Sequence, residues 1–269
     1  MTTARAVVLA RGLGTRMRAP DASAPLTPEQ HRVAEAGLKA MIPLNGRPFL
    51  DYILSSLADA GIHDIALVVA PDHDTLRRYY ESVAPPVRVR LGFVVQEQPL
   101  GTADAILAAE RWVDGEAFLA MNADNLYPVA ALEALAALVD PGLPAFDPDD
   151  LVRSSNISPE RIRSFAIVDV DDRGYLRSIV EKPASLRPLE GGSHVSMNCW
   201  RFDERIFSAC RDVPRSARGE FEIPEAVGLA VRRGVPFKAF EARGPVLDLS
   251  TRADAADVGR RLTGTRPKP

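Results

Sequence analysis

Residues 6–17 of the chain read Ala6-Val7-Val8-Leu9-Ala10-Arg11-Gly12-Leu13-Gly14-Thr15-Arg16-Met17. The apolar run over 6–10 is long enough for one buried strand and too short for a helix. It ends at two glycines, which let backbone N–H groups approach an anion and let the chain adopt positive φ. Arg16 adds a guanidinium group suited to phosphate oxygens. The stretch therefore predicts a polyphosphate-binding loop, with an ordinary glycine-rich turn as the alternative.

Two better-known phosphate loops are excluded at this position. The dinucleotide fingerprint requires a third glycine where Met17 stands, and the P-loop requires a Gly-Lys-Ser/Thr sequence that does not follow. A different type of phosphate-binding loop is therefore expected.

The composition favours a globular α/β protein without a polyanionic partner. The chain has 269 residues, 46% of them hydrophobic, and a net charge of −3. This charge gives no global attraction to nucleic acid or to acidic membrane surfaces. No apolar signal segment or membrane-spanning window is present, and Cys199 and Cys210 lack metal-type spacing. We expect a cytoplasmic protein with reduced thiols.

Apolar runs and amphipathic segments alternate through the first half of the chain. This alternation predicts a parallel sheet covered by helices on both faces, with ligands beyond the carboxyl ends of the strands. The expected strands are Ala6–Ala10, Ile65–Val69, Val89–Val95, Ala117–Met121, Phe165–Val170, Gly174–Lys182, Val195–Phe202, Pro236–Glu241 and Val246–Leu249. The expected helices are Pro48–Gly61, Asp72–Val83, Ala103–Trp112, Ala130–Val139, Glu222–Arg233 and Arg252–Leu262. Residues 18–37 are predicted to form a loop with about one helical turn near 29–35, acting as a lid or as a tolerated surface insertion.

Further motifs follow the glycine loop in a specific order. They are Lys39-Ala40-Met41-Ile42-Pro43, Gln96-Glu97-Gln98-Pro99-Leu100-Gly101-Thr102-Ala103, Asn122-Ala123-Asp124-Asn125, Val180-Glu181-Lys182-Pro183, Ser196-Met197-Asn198 and Val246-Leu247-Asp248-Leu249. Together with the glycine loop, and over almost the whole chain, they resemble the signature of the sugar-1-phosphate nucleotidylyltransferases, a family that includes glucose-1-phosphate thymidylyltransferases and uridylyltransferases and mannose-1-phosphate guanylyltransferases.

The resemblance implies a fold and a division of the chain. The fold is a single Rossmann-like nucleotidyltransferase domain over 1–263, with a mixed, mostly parallel central sheet flanked by helices on both faces. Residues 1–140 would form the nucleotide-binding half and residues 141–263 the sugar-phosphate-binding half. We expect residues 264–269 to be a frayed tail.

The resemblance also implies a reaction between an NTP and a sugar 1-phosphate, with Mg²⁺ as cofactor. The phosphate of the sugar attacks the α-phosphorus and pyrophosphate leaves, so catalysis consists of positioning and charge neutralisation. The implied catalytic residues are Arg16, Lys39 and Asp124. The implied nucleotide-binding residues are Leu9, Ala10, Arg11, Gly12, Gly14, Thr15, Gln96, Gly101 and Thr102. The implied sugar-phosphate-binding residues are Ala166, Glu181, Lys182 and Asn198, and the implied metal ligands are Asp124 and Asp248.

Six of these residues have a structural alternative. Asp124 could cap the segment that begins near Pro128, and Asp248 could pair with an arginine. Lys39 and Lys182 could be surface lysines, and Gln96 a hydrophilic loop residue. Asn198 could form a turn, although its apolar neighbours favour a strand.

Two departures from the family pattern bear on activity. Arg11 stands where the family usually has Ala or Gly, and its side chain could point to solvent, add a ligand contact or obstruct the site. Phe165-Ala166 replaces a usual Tyr-Gly. The alternative function is therefore a weakly active or inactive relative that binds nucleotide sugars as a regulatory or partner subunit. The sugar, the base and any homo-oligomeric state are left open.

Overall fold

A computed structural model describes residues 2–12, 14–19, 21, 24, 26–181 and 194–269. Its strands are β1 Arg5–Leu9, β2 Pro43–Leu44, β3 Arg47–Pro48, β4 Asp64–Val69, β5 Arg90–Val95, β6 Phe118–Asn122, β7 Asn125–Leu126, β8 Gly142–Phe146, β9 Ala166–Val170, β10 Leu176–Glu181, β11 His194–Ser196, β12 Cys199–Phe202, β13 Lys238–Ala242 and β14 Leu247–Asp248.

The α-helices lie between these strands and after them. They are α1 Thr15–Arg18, α2 Pro28–Glu35, α3 Phe49–Asp59, α4 Asp74–Arg78, α5 Thr102–Ala108, α6 Glu110–Val113, α7 Val129–Ala136, α8 Pro148–Ser154, α9 Pro159–Ile162, α10 Arg205–Asp212, α11 Ile223–Arg232 and α12 Arg252–Arg261. A 3₁₀ helix covers Lys39–Met41, and a π-helical turn continues α4 over Tyr79–Val83.

One mixed sheet runs through the molecule in the order β10-β9-β11-β8-β12-β6-β1-β4-β5, and β13 pairs with β8. The four strands β6, β1, β4 and β5 are parallel to one another. On the other side of β6 the pairs are antiparallel, apart from the parallel pair of β13 with β8. The predicted α/β fold with a mixed central sheet is confirmed.

Strand β1 lies in the middle of the parallel part and is covered on both faces. Ala6 and Val8 belong to one buried apolar cluster, whereas Val7 belongs to the cluster on the opposite face. All three side chains are fully buried. A strand that is buried on both faces reads as a continuous apolar run, so the run over 6–10 predicted this position correctly.

Between 141 and 213 several elements differ from the prediction. Strand β8 was not predicted; it lies inside the sheet and contains Pro144, a residue type that is uncommon in the middle of a sheet. The predicted strand Val195–Phe202 is two strands, because Asn198 has a φ of 57° and breaks the extended conformation. Helix α10 was not predicted; it buries Ile206 and Phe207.

The long segment before Lys39 also contains more helix than predicted. Helix α2 spans eight residues and begins with a capping box. The Thr27 hydroxyl accepts a hydrogen bond from the backbone N–H of Gln30, and the side-chain oxygen of Gln30 accepts one from the backbone N–H of Thr27. Such reciprocal capping satisfies two N–H groups that the first helical turn leaves without partners. The prediction of about one turn was therefore too short.

The prediction of a frayed tail over 264–269 is wrong. The Pro269 carbonyl oxygen accepts hydrogen bonds from Val87 N–H and Arg88 N–H, at 2.9 and 3.2 Å. Lys268 N–H donates to Ser55 Oγ at 3.1 Å. These bonds attach the segment to the start of β5 and to α3. Within the described ranges, none of the helices is both long enough and apolar enough to cross a membrane.

Candidate active site

A cavity of about 360 Å³ opens at the carboxyl ends of the parallel strands. Ligands bind at this edge in open α/β sheets, because the loops that follow the strands converge there. The cavity is lined by Leu9, Ala10, Arg11, Gly12, Gly14, Thr15, Lys39, Ala40, Gln96, Pro99, Gly101, Thr102, Ala105, Asn122, Ala123, Asp124 and Glu220. All nine predicted nucleotide-binding residues are in this set, and so are two of the three predicted catalytic residues.

The two glycines of the first loop have different conformations. Gly14 has a φ of 61° and precedes helix α1. This left-handed backbone conformation by itself favours glycine at position 14. Gly12 has no such requirement, and a Cβ built there would meet nothing within 4 Å. Arg16 lies on α1, is exposed, and does not line the cavity.

Lys39 and Asp124 form an ion pair at the cavity wall. Asp124 lies in the turn between β6 and β7, where Ala123 N–H donates to Leu9 O and Leu249 N–H donates to Asp124 O. The Lys39 ammonium contacts Asp124 Oδ2. The other oxygen, Oδ1, is buried and has no hydrogen-bond partner among the described residues. A buried carboxylate oxygen without a partner is costly, so Asp124 is a candidate for binding a ligand or a metal ion at this cavity.

Asp248 lies next to Asp124 because β14 pairs with β7 and places Asp248 opposite Asn125. The residue is 3% exposed. Its Oδ1 accepts from Arg161 at 2.7 Å and its Oδ2 accepts from Asn125 Nδ2 at 3.2 Å. Burial raises the pKa of Asp248, the negative charge of Asp124 raises it further, and Arg161 opposes both. The pairing with an arginine, the alternative to metal binding, is thus present.

Arg161 and Asn156 both form hydrogen bonds with Asp248, and these bonds fix its position. A second N–H group of Arg161 donates to Asp254 at 2.6 Å, so one guanidinium bridges two buried carboxylates. Asn156 accepts from Asp248 N–H at 2.8 Å and donates to Asp248 O at 2.7 Å. The segment 156–161 therefore holds β14 in place from outside the sheet.

The chemistry of these donors fits Mg²⁺ with a shell completed by a ligand. Asp124 offers the unpartnered oxygen, and Asp248 Oδ2, with a single amide donor, retains a lone pair. No group of three or more His, Cys, Asp and Glu side chains suited to a metal occurs among the described residues. Mg²⁺ is commonly held by one or two carboxylates plus phosphate oxygens and water, so two carboxylates suffice.

Arg11 is directed at the loop after β5 rather than at solvent. Its Nε donates to Gln96 O at 2.6 Å and one terminal NH₂ donates to Glu97 O at 3.1 Å. Burial lowers the pKa of Arg11, and nearby Asp72, Asp104 and Glu97 counteract part of that effect. The side chain thus joins the glycine loop to the loop over 96–101, which contains the predicted nucleotide-binding residues Gln96 and Gly101, and it forms part of the cavity wall.

Gly101 closes this second loop against the segment before α11. Its φ is 118°, and a Cβ there would lie 2.4 Å from Phe221 O, so only glycine fits. Phe221 N–H donates to Leu100 O, and Ala103 N–H donates to Phe221 O. The Thr102 hydroxyl accepts from Ile223 N–H at 2.9 Å. These contacts bring Glu220 to the cavity.

Three of the predicted sugar-binding residues are described: Ala166 and Glu181 lie on the paired strands β9 and β10, and Asn198 lies between β11 and β12; none of the three lines the cavity. Ala166 is opposite Glu181 on one side and opposite Ser196 on the other. Ala166 is fully buried, so it presents no surface to a ligand. The Asn198 Oδ1 atom is buried without a partner in the described part of the chain. Lys182 lies outside the described residues.

Some residues near the site were not found by sequence reasoning. Asn122 and Ala123 line the cavity and stand directly before Asp124, so their position in that motif could have indicated them. Arg161 and Glu220 belong to no motif, and their role depends on contacts between segments that are far apart in the chain.

Comparison with known proteins agrees with this geometry. A family model described as nucleotidyl transferase matches residues 5–259. The chain is 27% identical over 259 residues to a UTP–glucose-1-phosphate uridylyltransferase of Haloferax volcanii and covers 96% of each protein. It is also 27% identical to a glucose-1-phosphate thymidylyltransferase of Streptomyces antibioticus, over 95% of this chain and 65% of that protein.

A solved structure shows the same fold. The crystal structure of a UDP-glucose pyrophosphorylase complexed with UDP-glucose superposes with a TM-score of 0.76 and 17% identity, covering 99% of this chain and 100% of the other. The resemblance noted in the sequence is confirmed by the family match over nearly the full length. The chain belongs to the nucleotidyl transferase family.

Proposed function

We propose that this protein transfers a nucleotidyl group from an NTP to a sugar 1-phosphate in an Mg²⁺-dependent reaction, giving an NDP-sugar and pyrophosphate. The observation that supports this most directly is the cavity that collects the glycine loop, Lys39, Gln96 and the unpartnered oxygen of Asp124. Relatives with sugar-1-phosphate nucleotidylyltransferase names match over nearly the whole chain, which supports the same reaction class.

The reaction needs charge neutralisation more than a protein nucleophile. An oxygen of the sugar phosphate forms a bond to the α-phosphorus, and the bond from the α-phosphorus to the bridging oxygen breaks as pyrophosphate departs with the electron pair. The attacking oxygen is already anionic, so no side chain has to remove a proton from it. Mg²⁺, when bound, neutralises phosphate charge and makes the α-phosphorus more electrophilic.

The residues of this chain then hold the reacting groups. The glycine-loop amides and Lys39 bind the triphosphate, and Lys39 exchanges its contact with Asp124 for a phosphate oxygen. Asp124 and Asp248 would hold the metal ion. Arg16, exposed on α1, is available to the leaving pyrophosphate. Glu181 and Asn198 bind sugar hydroxyl groups, for which the unpartnered Asn198 oxygen is suited.

A non-catalytic relative that binds nucleotide sugars is the second candidate. Two observations favour it: Arg11 occupies part of the cavity wall, and Arg161 holds Asp248 in an ion pair. A pure binding protein, however, has no need for an unpartnered carboxylate beside a lysine at the phosphate loop.

The test measures pyrophosphate release with UTP, dTTP, GTP, CTP and ATP, each with several sugar 1-phosphates and MgCl₂. We expect turnover with at least one pair. In Asp124→Asn the rate falls at least about a hundredfold with the fold retained, because an amide is a poor Mg²⁺ ligand. Asp172→Asn, an exposed turn position, is the matched control and keeps the wild-type rate. Absence of release with every pair refutes the enzyme and leaves the binding protein.

A further inference from the structure

Helix α1 carries Arg16 directly after the glycine loop and is only four residues long. So short a helix is not stable on its own, and the last carbonyl groups of any helix lack donors within the helix. Thr15, at the start of α1, lines the cavity. Contacts with other parts of the chain must therefore hold α1, and with it Arg16, beside the cavity.

Arg252 provides donors for two carbonyl groups at the end of α1. Its Nε donates to Met17 O at 3.0 Å, and one terminal NH₂ donates to Arg18 O at 3.0 Å. The planar guanidinium presents several N–H groups in fixed directions, so one side chain can satisfy both acceptors. Arg252 thus caps the C-terminal end of α1 from a position that is 235 residues beyond Met17 in the chain.

Arg252 itself is held in place because it is the first residue of α12. The preceding residue, Thr251, donates its backbone N–H to Asp254 Oδ2 at 2.6 Å. Asp254 also accepts from Arg161, which bridges it to Asp248. Arg252 therefore connects α1 to the same hydrogen-bonded segment that contains Asp248.

Helix α1 also packs against the chain at two further points. The Met17 side chain is fully buried in the core. Gly37 has a φ of 76°, and a Cβ built there would lie 2.1 Å from a terminal nitrogen of Arg18, so the Arg18 guanidinium lies directly against the Gly37 backbone. Arg16 precedes these two anchored residues and is exposed. Its guanidinium is therefore available to a ligand, whereas the turn that carries it is fixed.

We infer that Arg252 is a positioning residue, which caps α1 and thereby holds Arg16 where the pyrophosphate group of an NTP binds and leaves. This inference rests on the proposed function, in which Arg16 binds the pyrophosphate. Arg252 is not among the residues that line the cavity, so it acts through α1. Without the cap, α1 becomes ordered only when pyrophosphate binds, and the cost of that ordering lowers the affinity.

The test measures the dissociation constant of inorganic pyrophosphate by calorimetry in the presence of MgCl₂. The proteins are the wild type, Arg252→Met, Arg16→Met, the double variant of these two, and Arg260→Met. Arg260→Met is the matched control, because it removes the same charge from the same helix at an exposed position that pairs with Asp257. Methionine keeps an unbranched apolar side chain and removes the donors.

We expect Arg252→Met to bind pyrophosphate about tenfold more weakly than the wild type, since the affinity lost is that of one charge-assisted contact to phosphate. Arg260→Met keeps the wild-type affinity. In the Arg16→Met background, Arg252→Met has no further effect, because a positioning residue acts only through the residue that it positions. The same loss in both backgrounds would mean that Arg252 acts through its charge alone, and it would overturn the inference. Wild-type affinity in Arg252→Met would overturn it as well.

Arg252→Lys is the second variant and serves also if Arg252→Met does not fold. It keeps the charge but loses the planar donor group that reaches both carbonyls. We expect its affinity for pyrophosphate to lie between those of the wild type and Arg252→Met, and an affinity equal to that of the wild type contradicts the capping role. If the wild type releases pyrophosphate from an NTP while these variants bind it normally, only this inference fails. If the wild type neither binds nor releases pyrophosphate, the proposed function itself fails.

Discussion

At the scale of single residues, the fold explains one of the two glycines of the first loop but not the other. Gly14 takes a left-handed conformation, which costs any other L-residue about 1–2 kcal/mol. Gly12 is exposed, has an ordinary φ, and has open space around its missing side chain. The folded protein alone gives no reason for a glycine at position 12. A bound triphosphate that contacts its backbone gives one.

This difference leads to a prediction for alanine substitutions. Gly12→Ala leaves the free energy of unfolding within about 1 kcal/mol of the wild type, because the new methyl group meets no protein atom. It raises the KM for the NTP about 10- to 100-fold, since the methyl group displaces a phosphate from a charge-assisted hydrogen bond worth about 1.5–3 kcal/mol. Gly14→Ala instead lowers the urea midpoint. An unchanged KM in Gly12→Ala would show that the triphosphate does not contact this glycine.

The partners of single charged residues were the least predictable feature of the site. The location of Asp124 at the cavity could be predicted, because the residue follows a buried strand and the carboxyl ends of parallel strands meet at one edge of the sheet. The contact of Arg11 with Gln96 O joins residues 85 apart, and that of Arg161 with Asp248 joins residues 87 apart. Nothing in the local sequence marks a backbone carbonyl or a distant aspartate as a partner. Sequence reasoning could therefore only name an arginine as an alternative for Asp248.

At the scale of elements, a two-residue strand pair determines the geometry of the two carboxylates that we propose as metal ligands, Asp124 and Asp248. Strands β7 and β14 are too short to be stable on their own. Three contacts outside the pair hold β14: the two Asn156 bonds to the Asp248 backbone and the bridge from Arg161 on α9. Asp254 completes this group by capping α12 with bonds from Ser250 N–H and Thr251 N–H.

We predict that Arg161→Met destabilises the protein by about 3–5 kcal/mol, because it leaves buried carboxylates without a compensating charge. Arg163→Met, exposed at the end of the same helix, is the control and changes stability by less than about 0.5 kcal/mol. Urea unfolding at neutral pH measures both. Equal midpoints for the two variants would mean that the bridge contributes nothing to the fold.

The same variant should show a defined pH dependence. Burial and Asp124 already raise the pKa of Asp248, and removing Arg161 takes away the main opposing charge. The folded variant then binds a proton more readily than the unfolded chain. Its stability deficit relative to the wild type therefore shrinks as pH falls from about 7 to about 4, where a neutral carboxyl no longer needs the guanidinium. A deficit that is constant over this range would contradict the electrostatic origin.

Elements were predicted well where pattern and packing agree, and poorly where tertiary contacts override the pattern. Helix α3 carries an apolar stripe and ends before Gly61, so its position followed from periodicity. Strand β8 contains Pro144 and is extended only because neighbouring strands pair with it on both sides. The apolar neighbours of Asn198 continue the strand pattern and therefore favour a strand over a turn, whereas its φ of 57° breaks the strand.

At the scale of the whole molecule, the two predicted halves share one sheet. Strand β12, from the second half, pairs with β6 of the first half, and β14 pairs with β7 of the first half. The Tyr127 hydroxyl donates to Met197 O at 2.6 Å, and Arg201 Nε donates to Thr3 Oγ1 at 3.1 Å. The division at residue 140 stays a prediction about ligand binding. As a division of the fold, it would cut one continuous sheet.

The shared sheet predicts that the chain unfolds in one cooperative step. The two tryptophans of the chain can report on the two halves separately. Trp112 lies on α6 in the first half and Trp200 on β12 in the second. We expect Trp112→Phe and Trp200→Phe to give, within each variant, the same urea midpoint by fluorescence of the remaining tryptophan and by far-UV circular dichroism. Trp200 is fully buried, so its variant has a lower midpoint, but the two probes still coincide. If fluorescence and circular dichroism diverge in either variant, the halves unfold independently. The shared sheet would then not couple the unfolding of the two halves.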